Sequence, residues 1–160
     1  METPFLHGQY EVSVDSKNRM LIPAEIRRQI DAEQHGKDFF LVIGQNKRPW
    51  LYSDLYYRSL TQSFKPGLFP SAAEMEFFRY SLSCSQQVEL DGQGRILIPV
   101  RSIAWMGLEQ TKKFYLIGVF DHLEVWEVGD WENERKALRE RGPEIFRSAR
   151  QETQQQQASA

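Results

Sequence analysis

Asp15 with Arg19, and Asp91 with Arg95, each set a carboxylate four residues ahead of a guanidinium, and each pair runs into an apolar segment ending in proline, Met20-Leu21-Ile22-Pro23 and Ile96-Leu97-Ile98-Pro99. A guanidinium offers five N–H donors in a planar fork that suits a carboxylate, a phosphate or a base edge. Each arginine can therefore pair with its own aspartate across a tight turn, or present its donors to nucleic acid, and spacing alone leaves both open. Further cations lie around the first pair. Lys17, Arg19, Arg27 and Arg28 gather within a dozen positions, and Lys47 and Arg48 follow on a later turn. A barrel fold could bring these six to one side. The second pair is poorer in charge, with Gln93 where the first has Lys17 and no Arg-Arg after its proline. If this face binds DNA, the first pair is expected to contribute more.

Catalytic chemistry is poorly supplied. His7, His35 and His122 are scattered without ligand spacing, and neither a Gly-rich phosphate loop nor a Gly-x-Ser-x-Gly elbow occurs. Cys84 is the only cysteine, so the chain can form no internal disulfide and no Cys-based metal cluster, and no partner base is recognisable beside it. No catalytic residue, metal site or cofactor is expected, and the chain reads as a non-enzyme. A formal charge of −2 over 160 residues gives no global basic signal, so any nucleic-acid site must be local. The N-terminus lacks a basic and apolar leader pattern, and no stretch has the length of a membrane span. A cytosolic protein with no membrane partner is the expectation.

The elements that must position the two pairs repeat as well. Asp15 to Asp91, Arg19 to Arg95 and Pro23 to Pro99 are the same step of 76 positions, the mark of an internal duplication. In the first copy Tyr10, Val12 and Val14 alternate with polar residues as in a half-buried strand, and Asp15-Ser16-Lys17-Asn18 breaks it as a turn. Arg19 to Ile22 returns as a strand, and Pro23 opens a helix with Glu25 at its positive end and Ile26 and Ile30 on one face. Asn18 aligns with Gly94. Both tolerate positive φ, so a left-handed backbone is expected at that point of each turn. The strand ending at Gly44 and the return strand Trp50 to Tyr52 complete the copy. Residues 88–98, the helix from Pro99 to near Gly107 with Ile103 and Met106 inside, the strand ending at Gly118 and Leu123 to Trp126 replay it.

Between the copies, Leu55, Tyr56, Ser59, Leu60 and Phe64 share one helical face, and Ser71 with Glu74 has the form of a capping box before a second helix. Asp130 is the expected cap of a last helix that Gly142-Pro143 interrupts, and the glutamine-rich run beyond Arg150 is expected to be disordered. The resulting division is a first repeat at 5–54, a helical connection at 55–83, a second repeat at 84–129, a C-terminal helix at 130–150 and a tail at 151–160.

The run from Phe5 to about Trp131 resembles the MraZ family of bacterial transcriptional regulators, built from two SpoVT-AbrB-type repeats. The resemblance rests on the tandem Asp-x-x-x-Arg motifs at 15–19 and 91–95, each four residues ahead of a proline, and on the Phe5-Leu6-His7-Gly8 opening. Asn18 departs from the glycine usual before the first arginine. The resemblance implies an α+β, mainly β fold, a swapped-hairpin β-barrel in which two repeats fill one core in pseudo-two-fold arrangement, with flanking helices. It also implies a homo-oligomeric ring, nucleoid association, and repression through double-stranded DNA direct repeats upstream of a division and cell-wall gene cluster that includes the regulator's own gene. On that basis Arg19 and Arg95 are the expected DNA contacts, with Lys17 beside the first. Asp15 and Asp91 shape the turns with Asn18 and Gly94, while Arg27, Arg28, Lys47 and Arg48 join from charge alone. The rival expectation is an interaction scaffold that displays Tyr56, Tyr57, Phe77 and Phe78 to a protein partner.

Overall fold

A computed structural model describes residues 1–64, 67–105, 109 and 112–158. The first repeat contributes β1 (Gln9–Ser13), β2 (Arg19–Leu21), α1 (Ala24–Arg27), α2 (Ala32–His35), β3 (Phe39–Ile43) and β4 (Pro49–Ser53). Helices α3 (Asp54–Ser63) and α4 (Ala72–Ser83) form the connection. The second repeat contributes β5 (Gln86–Val88), β6 (Arg95–Leu97), α5 (Val100–Trp105), β7 (Lys113–Val119) and β8 (His122–Glu127), and α6 (Val128–Glu140) and α7 (Gly142–Ala158) end the chain.

Each repeat pairs its strands with the other. Six antiparallel strands run in the order β1-β7-β8-β4-β3-β5, and a separate two-stranded ribbon pairs β2 with β6. Val12 of β1 stands opposite Phe114 of β7, and the duplicated positions repeat the match, Val88 of β5 opposite Phe39 of β3. In the ribbon Met20 stands opposite its own counterpart, Ile96, so the pseudo-two-fold axis passes between them. The exchange of strands implied by the resemblance is present, in an α+β fold whose two repeats are mainly β. The barrel is not a closed ladder: single bridges, Val14 to Met20 and Leu90 to Ile96, join the ribbon to the strand ends beside it.

The pairing creates one core from two halves. Val12, Met20, Ile22, Ile26, Phe39, Leu41 and Leu51 of the first repeat pack in one cluster with Val88, Ile96, Ile98, Phe114, Leu116, Leu123 and Val125 of the second. At about 1.5–3 kcal/mol for each fully buried large apolar side chain, neither repeat retains its share of this burial alone.

The helices depart from the expectations in instructive ways. Pro23 caps α1, but the helix lasts only four residues, and Ile30 reaches the core from the loop beyond it. A second short helix, α2, follows, capped by Asp31, whose side chain accepts from the backbone N–H groups of Glu33 and Gln34. Ser71 and Glu74 form the full capping box of α4. The second post-proline helix is described through Trp105, and Met106 and Gly107 lie outside the described residues. Residues from Val128 onward form a separate compact unit. There α6 starts two residues ahead of Asp130, which sits in the first turn rather than at the cap, and α7 begins at Gly142-Pro143. The glutamine-rich stretch expected to be disordered continues α7 to Ala158; glutamine is a good helix former, and low complexity alone does not oppose a helix. Among the described residues no helix is long and apolar enough to cross a membrane.

Candidate nucleic-acid interface

The two Asp-x-x-x-Arg turns have the same construction. In the first, the Asn18 N–H donates to the Asp15 carbonyl (3.0 Å) and the Asp15 N–H to the Arg19 carbonyl (2.9 Å). The second has the Gly94 N–H on the Asp91 carbonyl (2.9 Å) and the Asp91 N–H on the Arg95 carbonyl (2.8 Å). Asn18 has φ 60° and Gly94 φ 78°, so both occupy the left-handed region. Inside each turn the aspartate divides its two oxygens. Asp15 Oδ1 accepts from the backbone N–H groups of Lys17 (2.8 Å) and Arg19 (3.0 Å), and Oδ2 from Arg19 Nε and Nη2, both at 2.8 Å. Asp91 does the same with Gln93 (2.8 Å), Arg95 N–H (3.0 Å), Nε (2.9 Å) and Nη2 (2.8 Å). The backbone N–H of the arginine, assisted by its guanidinium, holds each aspartate below its ordinary carboxylate pKa, so both stay ionised at neutral pH.

The aspartate therefore aims the arginine without exhausting it. Nε and one hydrogen of Nη2 are committed, and three N–H donors of each guanidinium remain directed elsewhere. The ribbon then brings the two arginines to one face. Met20 and Ile96 point into the core at 1% exposure each, so the alternate residues Arg19, Leu21, Arg95 and Leu97 face outward, with Arg19 opposite Leu97 and Leu21 opposite Arg95. Arg19 and Arg95 line the same surface hollow of about 410 Å³. Two further bonds tie each turn to the other repeat: the Ile22 N–H donates to the Gly94 carbonyl (2.9 Å), and the Ile98 N–H to the Asn18 carbonyl (2.8 Å).

Lys17, Arg19, Arg27, Arg28, Lys47 and Arg48 divide among separate places. Lys17 and Arg19 stay on the first turn, Lys17 exposed. Arg27 reaches the second turn, where its guanidinium lies against Gly94. Arg28 is the exposed C-cap of α1. Lys47, at φ 62°, and Arg48 sit on the β3–β4 turn, where the Arg48 guanidinium lies 3.9 Å over the Trp126 ring of β8. The placement of Arg27 is invisible to counting along the chain, since it depends on the exchange of strands.

The histidines have separate surroundings. His7 is exposed beside Phe5. His35 is buried, accepting from the Asp31 N–H (3.3 Å) through Nδ1 with Nε2 3.0 Å from the Glu2 carbonyl. His122 is also buried, stacked 4.0 Å from Trp50, with Nδ1 2.6 Å from Asp121 and Nε2 3.9 Å from Glu124. Burial opposes its charge, but the hydrogen bonds and charges of Asp121 and Glu124 outweigh burial and raise its pKa. Burial likewise opposes ionisation of Glu124, and His122, the Trp126 indole N–H and Arg48 overcome it, so that its pKa is lowered. Among the described residues no group of three or more His, Cys, Asp or Glu side chains could hold a metal ion. Of the four rings a scaffold would display, Tyr56 and Tyr57 are buried, while Phe77 is 46% exposed.

Comparison with known proteins assigns this architecture. The family described as "MraZ protein, putative antitoxin-like" matches twice, over residues 5–76 and 82–157. The chain belongs to the MraZ family. It is 35% identical over 127 residues to a protein of Acetivibrio thermocellus named transcriptional regulator MraZ, covering 79% of this chain and 84% of that one. It is 33% identical over 132 residues to the transcriptional regulator MraZ of Caldanaerobacter subterraneus subsp. tengcongensis, covering 82% and 87%. The two MraZ matches divide the chain as its duplicated turns do, and the second extends through the C-terminal helices. Sequence reading missed the place of Arg27 on the second turn and the cluster of Asp121, His122 and Glu124. The cluster could have been suspected from Asp121-His122-x-Glu124, because i and i+2 on a strand share a face.

Proposed function

We propose that this chain is a non-enzymatic, cytoplasmic and nucleoid-associated DNA-binding transcriptional regulator that grips double-stranded DNA through Arg19 and Arg95, with Lys17 beside the first. The observation that carries the reading is the matched pair of arginines, each oriented by its own aspartate and each with three donors left over, on the outward face of one two-stranded ribbon. A ribbon of this width fits the major groove, where a guanidinium can read a guanine edge or hold a neighbouring phosphate. The relatives' name, transcriptional regulator, supports the same reading. The finer proposal is repression at promoter direct repeats, including those ahead of its own gene, by a homo-oligomeric ring. One chain offers few phosphate contacts, and several copies on one scaffold reach tandem sites at high effective concentration.

A specific observation also favours contacts between chains. Leu68 and Phe69 are 89% and 90% exposed, and Tyr80 and Leu82 of α4 are about half exposed. Apolar surface of this kind is more often covered than left in water, and it suits the ring. The test is a gel shift on a direct-repeat promoter fragment. Arg19→Ala is expected to weaken the shift about tenfold or more while the melting temperature and oligomer size stay unchanged; unchanged retention of the fragment contradicts the proposal.

A further inference from the structure

Gly94 is buried although it belongs to an outward turn, and its cover comes from the other repeat. Arg27 leaves the end of α1 and donates from Nε to the Ile22 carbonyl (3.1 Å), while the Ile22 N–H donates to the Gly94 carbonyl (2.9 Å). The guanidinium is thereby held where a strand end of the first repeat is bonded to the turn of the second. A Cβ added at Gly94 would lie 2.9 Å from Arg27 Cζ, 3.0 Å from Nε and 3.1 Å from Nη2. The duplicate of Arg27 is Ile103, half-buried, which lines a hollow of about 350 Å³ together with Asn18. The first turn thus accepts a side chain at its left-handed position, and the second, under Arg27, has glycine. The charges differ in the opposite sense: the first turn carries Lys17 at the position where the second carries Gln93.

We infer that Arg27 supplies to the second turn, across the repeats, the cation that Gln93 does not, so that Arg27 and Arg95 together form a composite contact for the DNA phosphate backbone, equivalent to Lys17 with Arg19. The inference rests on the DNA-binding reading above and goes beyond it in assigning the second turn a partner from the first repeat. Nε is occupied by the Ile22 carbonyl, and the Nη hydrogens are the donors offered to phosphate oxygens. The two turns then present two cations each, one on an arginine held by aspartate and one beside it.

The experiment is a fluorescence-anisotropy titration of a direct-repeat promoter duplex over a series of salt concentrations, with the full chain. Each lost phosphate contact lowers the slope of log K against log salt by about 0.9. Arg27→Gln is expected to lower it by about that amount for every chain engaged, as Lys17→Gln does, and Gln93→Lys added to Arg27→Gln is expected to restore it. Gly94→Asn, which keeps a residue tolerant of positive φ and displaces the guanidinium, is expected to match Arg27→Gln and to add nothing to it. A wild-type slope in Arg27→Gln, with Lys17→Gln reduced, overturns the inference and leaves the DNA-binding reading standing. A loss in Arg27→Gln that Gln93→Lys does not restore also overturns it, since the role is then structural. Failure of the wild-type chain to bind the duplex at low salt overturns both.

Discussion

The two turns share one hydrogen-bonding plan and differ in what surrounds it. The first has Lys17, Asn18 at φ 60° and the apolar Ile103 nearby; the second has Gln93, Gly94 at φ 78° and the Arg27 guanidinium resting on it. Along the chain the first looks rich in cations and the second bare. In space one of those cations has crossed over, because the first repeat's strand and helix lie against the second repeat's turn. The lesson is that in a duplicated, strand-exchanged fold, charge must be assigned to a turn by packing and not by sequence distance. The glycine of the second turn lies under the same crossing: a Cβ there would displace the cation that covers it.

The comparison breaks most severely at the axis. Met20→Ala or Ile96→Ala empties a fully buried position beneath both turns and is expected to cost about 2–5 kcal/mol, read as a lower urea midpoint. The two substitutions should cost similar amounts, because they face each other across the ribbon. Next in size is the arginine pair. Arg95→Ala is expected to weaken promoter binding about tenfold or more, as the loss of a charge-assisted contact does, and by an amount comparable to Arg19→Ala in the same titration. A much smaller effect of Arg95→Ala would show that the turns are unequal after all.

The left-handed positions should separate more gently. Gly94→Ala combines strain at positive φ, about 1–2 kcal/mol, with displacement of Arg27. Asn18→Gly should change stability by less than about 1 kcal/mol, since relief of strain and added chain entropy oppose each other; equilibrium unfolding measures both. The smallest effect lies away from the turns, at His122. Its pKa is raised in the folded chain, so its stabilising contribution is complete below its ordinary value of 6.5 and is lost as pH rises through the raised value. Glu124 is lowered, so its contribution is present above its ordinary value of 4.5 and is lost as pH falls through the lowered value. Thermal melts should show a decline as pH rises above the ordinary histidine value of 6.5, which His122→Gln flattens, with DNA binding at neutral pH unaltered.

Much of this architecture was legible because local chemistry and global fold agree. The repeated Asp-x-x-x-Arg turns, the proline after each short strand and the Ser71–Glu74 capping box depend on neighbours a few residues away, and the sequence carries them directly. The exchange of strands came only through the family resemblance. Two features depend on what the sequence does not order. The helix after Pro23 stops after four residues, and Ile30 is satisfied by the core without helical backbone; α2 is small, although Asp31 before Glu33 and Gly36 at its end are the signals that mark it. Arg27 on Gly94 joins residues from different repeats, and no local pattern announces that contact.

The central claim, that one ribbon carries two equivalent DNA-contacting turns, is tested most directly by a footprint of the purified chain on the DNA upstream of its own gene. Protection at regularly spaced short repeats is expected, weakened alike by Arg19→Ala and Arg95→Ala and absent in the folded double variant. An unprotected fragment, or a double variant that protects it as the wild-type chain does, would contradict the account.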